Sequence, residues 1–186
     1  MQQSNTALLI IDVINKMDFD GGEDLLENGL EMIDNLHTFK QEAKAKNIPV
    51  IYVNDNFGLW QDNAEEIVEE CRKGKGKPIV EKMRPANDDF FVIKPKHSGF
   101  YGTQLDILLT QMGVNRLILT GLTGDMCVLF TANGAYMREY DLYIPEDLVA
   151  SEDKNDNSNA LQIMKRSLFA DITPSVDFNF EKVMNQ

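Results

Sequence analysis

The sequence predicts an α/β fold with three layers, in which helices cover both faces of a six-stranded parallel sheet. Short apolar runs alternate with longer amphipathic stretches along all 186 residues, and this alternation is typical of strands joined by helical crossovers. The runs are almost continuously apolar, as expected of strands that are buried on both faces. No repeat, low-complexity tract or linker divides the chain, so residues 1–186 are predicted to form a single domain.

The strands are predicted from the apolar runs. The first is "ALLIIDV", at 7–13. Five more follow, at "IPVIYVN" (48–54), "FFVIK" (90–94), "RLILTG" (116–121), "YDLYIPEDL" (140–148) and "ADITPS" (170–175).

The helices are predicted from apolar residues at spacings of three and four. The longest covers about 24–46, and Gly113 ends another at 103–113. The remaining helices are expected at 64–73, at about 125–139 and at 157–169. The polar segment "GKGKP" is predicted to be a break.

The charge of the chain excludes several kinds of partner. With 30 acidic and 18 basic side chains the net charge is −12, which repels nucleic acids and anionic membranes. No apolar run approaches the roughly 20 residues needed to cross a bilayer. We therefore expect a small-molecule substrate, with no nucleic acid and no membrane among the partners.

The N-terminus and the cysteines indicate the compartment. The start "MQQSNTALLIIDV" lacks the basic region of a secretion signal. Cys71 and Cys127 are the two cysteines, and they do not form a disulfide framework. These features predict a cytoplasmic protein.

Three reactive side chains follow three of the predicted strands. Asp12 ends the first strand, Lys94 ends "FFVI", and Cys127 lies just beyond "RLILTG", across a tight turn. Ligands of parallel sheets bind outside the carboxyl ends of the strands, so independent segments bring a carboxylate, an amine and a thiol to one edge. We interpret the three as a catalytic set with Cys127 as the nucleophile.

Each member of this set also has a simpler interpretation when it is taken alone. A strand-end aspartate can cap a turn, a lysine can extend along the surface, and a cysteine can pack in a core. Together their chemistry is complementary, because a helix N-terminus and a nearby ammonium lower the pKa of a thiol and a carboxylate can take its proton. A binding or assembly module that keeps these residues without turnover is the alternative function.

Three blocks of the sequence resemble the isochorismatase-like cysteine hydrolases, a family that includes nicotinamidases and N-carbamoylsarcosine amidase. The blocks are "ALLIIDVINKM", "VIKPKHSGFYGTQLDILL" and "LILTGLTGDMCVLFTANGAYMREYDLYIPEDLVAS". The resemblance covers nearly the whole chain and implies a Rossmann-like, six-stranded parallel sheet with a catalytic triad of Asp12, Lys94 and Cys127. It also implies a cis peptide between Leu122 and Thr123, and an oxyanion hole formed by the backbone N–H groups of Thr123 and Cys127.

The same resemblance disfavours a metal-dependent nicotinamidase. Nicotinamidases bind a metal through an aspartate and several histidines in the loop after the second strand. Here that loop is "VNDNFGLWQDN", with Asp55 at the aspartate position but Phe57 where a histidine is expected. The only histidines are His37 and His97, so we expect neither a metal nor another cofactor. Isochorismatases proper lack the nucleophilic cysteine that this chain has.

The resemblance implies hydrolysis of an amide or ureido C–N bond through a thioester on Cys127. In the expected mechanism Asp12 exchanges protons with the thiol, with the leaving amine and with the hydrolytic water. Five residues near the predicted crevice are candidate substrate contacts, although each could instead serve packing or turn formation: Phe19, Asn54, Phe57, Trp60 and Tyr101. Trp60 could also meet a neighbouring subunit, and the family implies a homo-oligomer, either a dimer or a tetramer.

Overall fold

A parallel sheet forms the middle layer of the structure, a computed structural model that describes residues 4–58 and 63–185. Its strands are β1 (Thr6–Ile11), β2 (Val50–Asp55), β3 (Phe90–Lys94), β4 (Arg116–Leu122), β5 (Asp141–Tyr143) and β6 (Val149–Ala150). The helices are α1 (Gly22–Ala45), α2 (Ala64–Cys71), α3 (Lys77–Lys82), α4 (Leu105–Met112), α5 (Leu129–Tyr136), α6 (Lys154–Ser167) and α7 (Phe180–Asn185). Short helical turns lie at Gly124–Val128, Glu146–Leu148 and Ser175–Asp177.

The six-stranded parallel sheet and the three-layer arrangement predicted from the sequence are confirmed. The strand order is β3–β2–β1–β4–β5, and β6 pairs with the end of β4. Leu8 and Ile10 of β1 pack into the core on the α1 face, whereas Leu9 and Ile11 pack into the core on the α5 and α6 face. Because β1 is buried on both faces, its sequence is apolar without alternation.

The register of the sheet brings the carboxyl ends of its central strands to one edge. Ile11 at the end of β1 pairs with Val53 on one side and with Gly121 on the other. Lys94, the last residue of β3, pairs with Asp55 at the end of β2. Side chains that follow these strands therefore lie within reach of one another.

The sixth strand lies elsewhere than the sequence predicts. Residues 170–175 contribute a single parallel bridge, between Asp171 and Tyr143. Pro174 has no backbone N–H to donate, and a helical turn follows it, so the ladder does not continue. The sixth strand is instead β6, which follows the turn that begins after Pro145 and pairs with the last two residues of β4.

A short helix, α3, begins inside the segment that was predicted to be a break. Pro78 lies in the first turn of this helix, where backbone N–H groups have no acceptor within the helix. The N–H that proline lacks therefore costs no helical hydrogen bond. Ile79 and Val80 are buried from this helix into the core on the α1 face. Tertiary burial of these two residues therefore stabilises a helix that the polar local composition does not indicate.

A buried ion pair joins α1 to the chain just before β3. The Lys40 ammonium, in a side chain that is 5% exposed, contacts an Asp89 oxygen at 2.5 Å and donates to the Tyr52 hydroxyl at 2.9 Å. Lys44 binds the other Asp89 oxygen at 2.6 Å. The Asp89 side chain is 1% exposed, so it is buried together with Lys40. Removing the Asp89 charge would leave the buried Lys40 ammonium without a counter-ion.

We expect Asp89→Asn to lower the free energy of unfolding by about 3–5 kcal/mol, since a buried charge that loses its partner stays desolvated. Asp88→Asn is the matched control. The Asp88 side chain also pairs with Lys44 but is 74% exposed, so its loss should cost less than about 1 kcal/mol. Urea unfolding followed by circular dichroism measures both variants, and equal losses would contradict the assignment of the buried pair.

Candidate active site

Asp12, Lys94 and Cys127 meet at the carboxyl edge of the sheet. Asp12 directly follows β1, Lys94 is the last residue of β3, and Cys127 lies in the helical turn after β4. The Lys94 Nζ is 2.7 Å from Asp12 Oδ2, and it donates to Cys127 Sγ at 3.5 Å. The lysine therefore bridges the carboxylate and the thiol.

The Asp12 carboxylate is held by donors on both oxygens. Its Oδ2 faces Lys94, and its Oδ1 accepts the backbone N–H of Asp55 at 2.7 Å. The Asp12 backbone has a φ of 50°, a left-handed conformation that aspartate tolerates better than most residues. Asp12 is 5% exposed and the Lys94 side chain 1% exposed, so the ion pair is buried.

The turn that carries Cys127 requires glycine next to β1. Gly121 has a φ of 110°, and a Cβ placed there would lie 2.1 Å from the Ile11 carbonyl oxygen. The Leu122–Thr123 peptide bond is cis. The Thr123 carbonyl then accepts the N–H of Val128 at 3.0 Å, which closes the turn around the half-buried Cys127.

Burial and neighbouring charges compete in setting the pKa values of the three groups. It raises the pKa of Asp12, although the charge of Lys94 opposes the rise. Burial alone would lower the pKa of Lys94, but the charges of Asp12 and Cys127 outweigh it and the pKa is raised. Burial and the Asp12 charge raise the pKa of the Cys127 thiol to about 12, although Lys94 lowers it in part.

The direction of the thiol shift corrects an expectation from the sequence. A helix start and a nearby ammonium were expected to lower the pKa of Cys127. In the folded chain, burial and the neighbouring carboxylate act more strongly in the opposite direction. The resting thiol is therefore protonated at neutral pH.

The candidate substrate contacts lie in different environments. Asn54 is fully buried, and its amide accepts from the Ile14 N–H at 3.2 Å and donates to the Ile14 carbonyl at 2.9 Å. Phe57 is half-buried and packs against the core on the α1 face. Phe19 and Tyr101 are 46% and 64% exposed, and Trp60 lies outside the described residues. The Asn54 amide thus holds the loop after β1 in place.

Two further side chains approach the three central groups. His97, which the sequence pattern does not assign to this site, has its Nδ1 3.8 Å from Cys127 Sγ. Asp55 has its Oδ2 3.9 Å from Lys94 Nζ. The position of His97, three residues beyond Lys94, was visible in the sequence, but the conformation of the loop that turns it toward the sulfur was not.

Residues 4–58 and 63–185 contain neither a grouped set of metal ligands nor a helix that could cross a membrane. In that part of the chain, no three histidine, cysteine, aspartate or glutamate side chains are grouped so that they could hold a metal ion. Nor does any helix there have the length and apolar character needed to cross a membrane.

The chain is similar to one family along most of its length: residues 6–176 match the family described as Isochorismatase domain. It is 46% identical over 173 residues to the isochorismatase family protein YaaI of Bacillus subtilis, covering 93% of this chain and 96% of that protein. It is 27% identical over 171 residues to ureidoacrylate amidohydrolase RutB of Yersinia enterocolitica, covering 77% of this chain and 74% of that protein. The crystal structure of N-carbamoylsarcosine amidase from Thermoplasma acidophilum matches with a TM-score of 0.73 and 26% identity, covering 94% of this chain and 98% of that one.

Proposed function

The chain belongs to the isochorismatase family, and we propose that it is a cysteine hydrolase that cleaves a C–N bond of a small molecule. Cys127 is the nucleophile, Asp12 is the proton carrier, and Lys94 is the cation that contacts both groups. The observation that carries the proposal is the bridging position of Lys94, with its Nζ 2.7 Å from the Asp12 carboxylate and 3.5 Å from the Cys127 sulfur.

Acylation begins with the protonated thiol. Asp12 takes the thiol proton as the Cys127 sulfur attacks the substrate carbonyl, and the buried Lys94 ammonium stabilises the negative charge that forms. The backbone N–H groups of Thr123 and Cys127 are the proposed donors to the oxyanion. The intermediate then collapses, Asp12 returns the proton to the leaving nitrogen, and a thioester remains on Cys127.

A ureido substrate is the class that the relatives favour. The names of RutB and of the Thermoplasma enzyme denote ureidoacrylate and N-carbamoylsarcosine, both of which carry a ureido group. Ammonia release should therefore be screened first with N-carbamoyl compounds and then with simple carboxamides. A positive result with any of them would define the substrate class.

Labelling with iodoacetamide distinguishes the proposed hydrolase from a binding module. Cys127 is half-buried and hydrogen-bonded to Lys94, whereas Cys71 is fully buried in the core. The pKa of both thiols is raised to about 12, so access of the reagent to the sulfur decides which is labelled first. We expect peptide mapping to find the label on Cys127 first, with hydrolysis lost in proportion. Labelling of Cys127 that leaves hydrolysis intact would contradict a catalytic thiol.

We expect the hydrolysis to need no metal. Asp55 lies beside the Lys94 ammonium, whose charge opposes a cation there, and Phe57 occupies the position of a nicotinamidase histidine. Elemental analysis of the purified protein should find no stoichiometric zinc, iron or manganese, and dialysis against EDTA should leave the rate unchanged. About one transition metal per chain, lost together with the activity, would instead support a nicotinamidase-type site.

We also propose that the protein forms a homo-oligomer, either a dimer or a tetramer. Large apolar side chains are exposed on the described surface, among them Phe130 at 50% and Phe169 at 78%, and interfaces commonly cover such groups. Light scattering at micromolar concentration should give a mass of two or four chains. The mass of one chain would contradict the proposal.

A further inference from the structure

We propose that His97 is a further catalytic residue, the base that activates water when the thioester on Cys127 is hydrolysed. The inference rests on the proposed function, because it requires an acyl group on Cys127. Among the described side chains, two nitrogen atoms lie near the sulfur, Lys94 Nζ at 3.5 Å and His97 Nδ1 at 3.8 Å. An imidazole in this position is within one water of any group bonded to the sulfur.

The two nitrogen neighbours of the sulfur differ in exposure. The Lys94 side chain is 1% exposed and is paired with Asp12 in the interior. His97 is an exposed residue. The Lys94 contact of the sulfur is therefore with a buried ion pair, whereas its His97 contact is with an exposed residue, and the His97 side is the proposed route for water.

Contacts with α5 hold the imidazole near the sulfur. The His97 ring packs on the Phe130 ring, with centroids 5.9 Å apart and planes inclined by 32°. Phe130 lies three residues after Cys127, one helical turn further along the chain. The Gly99 N–H, two residues beyond His97, donates to the Thr131 hydroxyl at 2.9 Å. The loop is thus fixed to the same helical segment as the nucleophile.

Asp12 is less accessible to water than His97. Its two oxygens already face Lys94 and the Asp55 N–H, each at 2.7 Å, and the residue is 5% exposed. This environment suits proton exchange with the adjacent thiol and leaving nitrogen. A separate base on the solvent side allows acylation and deacylation to use different groups.

The proposed step consumes one water and restores the enzyme. His97 takes a proton from water as the water oxygen bonds to the thioester carbonyl carbon. The tetrahedral intermediate then breaks its C–S bond, and the acid product leaves. The Cys127 sulfur takes the proton that His97 accepted, so thiol and imidazole return to their starting forms without an oxidant or a reductant.

The test uses p-nitrophenyl acetate, which acylates reactive thiols and does not depend on the natural substrate. The wild-type chain should release a burst of about one nitrophenolate per Cys127, after which acetyl-Cys127 hydrolyses. His97→Phe keeps a ring against Phe130 but removes the base. We expect its burst to be unchanged and the hydrolysis of acetyl-Cys127, followed by intact-mass spectrometry, to slow by about 10²-fold.

Two further variants separate a base from a structural support. His97→Ala should deacetylate slowly, and added imidazole should restore part of the rate in this variant but not in His97→Phe, whose ring fills the vacated space and which therefore measures the reaction of free imidazole with the thioester. His37→Phe changes the other histidine of the chain, in α1, and should deacetylate at the wild-type rate. Lack of imidazole rescue, or an equal loss in His37→Phe, would overturn the role of His97.

The outcomes also separate this inference from the proposed function. If Cys127→Ser releases nitrophenolate at the wild-type rate, the nucleophile is wrong and the inference falls with it. If the burst depends on Cys127 while His97→Phe deacetylates at the wild-type rate, His97 is not the base. The proposed function then stands with another group activating the water.

Discussion

Cys127→Ser should reduce hydrolysis on the order of 10⁴-fold or more while leaving the fold unchanged. The replacement is nearly isosteric, so the helical turn and its contact with Lys94 can remain. A hydroxyl is far harder to ionise than a thiol, and a single buried carboxylate cannot make it an effective nucleophile. Ammonia release from the substrate identified in the screen gives the rate, and circular dichroism with thermal unfolding shows whether the fold is kept.

Cys71→Ala is the control for this result. Cys71 is fully buried in the core on the α1 face, and a small apolar residue fills most of its volume. This variant should lose some stability but keep its rate. If Cys127→Ser retains substantial hydrolysis, the nucleophile assignment and the mechanism built on it are wrong.

The proximity of Asp12, Lys94 and Cys127 could be predicted because the strands that precede them are easy to identify in the sequence. Each relevant strand is an apolar run that ends close to a polar residue, and parallel strands in register bring such ends to one edge. The central strands are buried on both faces, so their sequences identify them without a competing helical pattern.

Other features could not be predicted because they depend on contacts between distant segments. The two-residue strand β6 exists only because it lies against the end of β4. Helix α3 depends on the burial of Ile79 and Val80. The approach of His97 to the sulfur depends on the packing of one exposed loop against α5.

The pKa of the Cys127 thiol could not be predicted from the sequence either, because it depends on tertiary contacts. From the sequence, a nearby lysine and a helix start are visible, and both lower the pKa of a thiol. The extent of burial and the 2.7 Å contact between Lys94 and Asp12 are tertiary properties. Together they leave Cys127 next to an ion pair rather than a free cation, and its pKa is raised.

Asp12→Asn should slow hydrolysis by about 10²-fold or more, because an amide can neither accept the thiol proton nor return it to the leaving nitrogen. The same change should make the resting thiol more acidic. The Asp12 charge raises the pKa of Cys127 and the Lys94 charge lowers it, so removing the carboxylate leaves the lysine unopposed. The pKa of the thiol should therefore fall, and iodoacetamide alkylation at neutral pH should become faster.

Opposite changes in the two measurements distinguish a lost proton carrier from general damage. A distorted site would lose hydrolysis and thiol reactivity together, whereas Asp12→Asn should lose the first and gain the second. Lys94→Met is the matched variant, since it removes the cation and leaves the carboxylate, so its thiol pKa should rise and its alkylation at neutral pH should fall. If Asp12→Asn lowers the alkylation rate as well, Asp12 supports the structure of the site, and the proton that Cys127 loses on attack must go to another group.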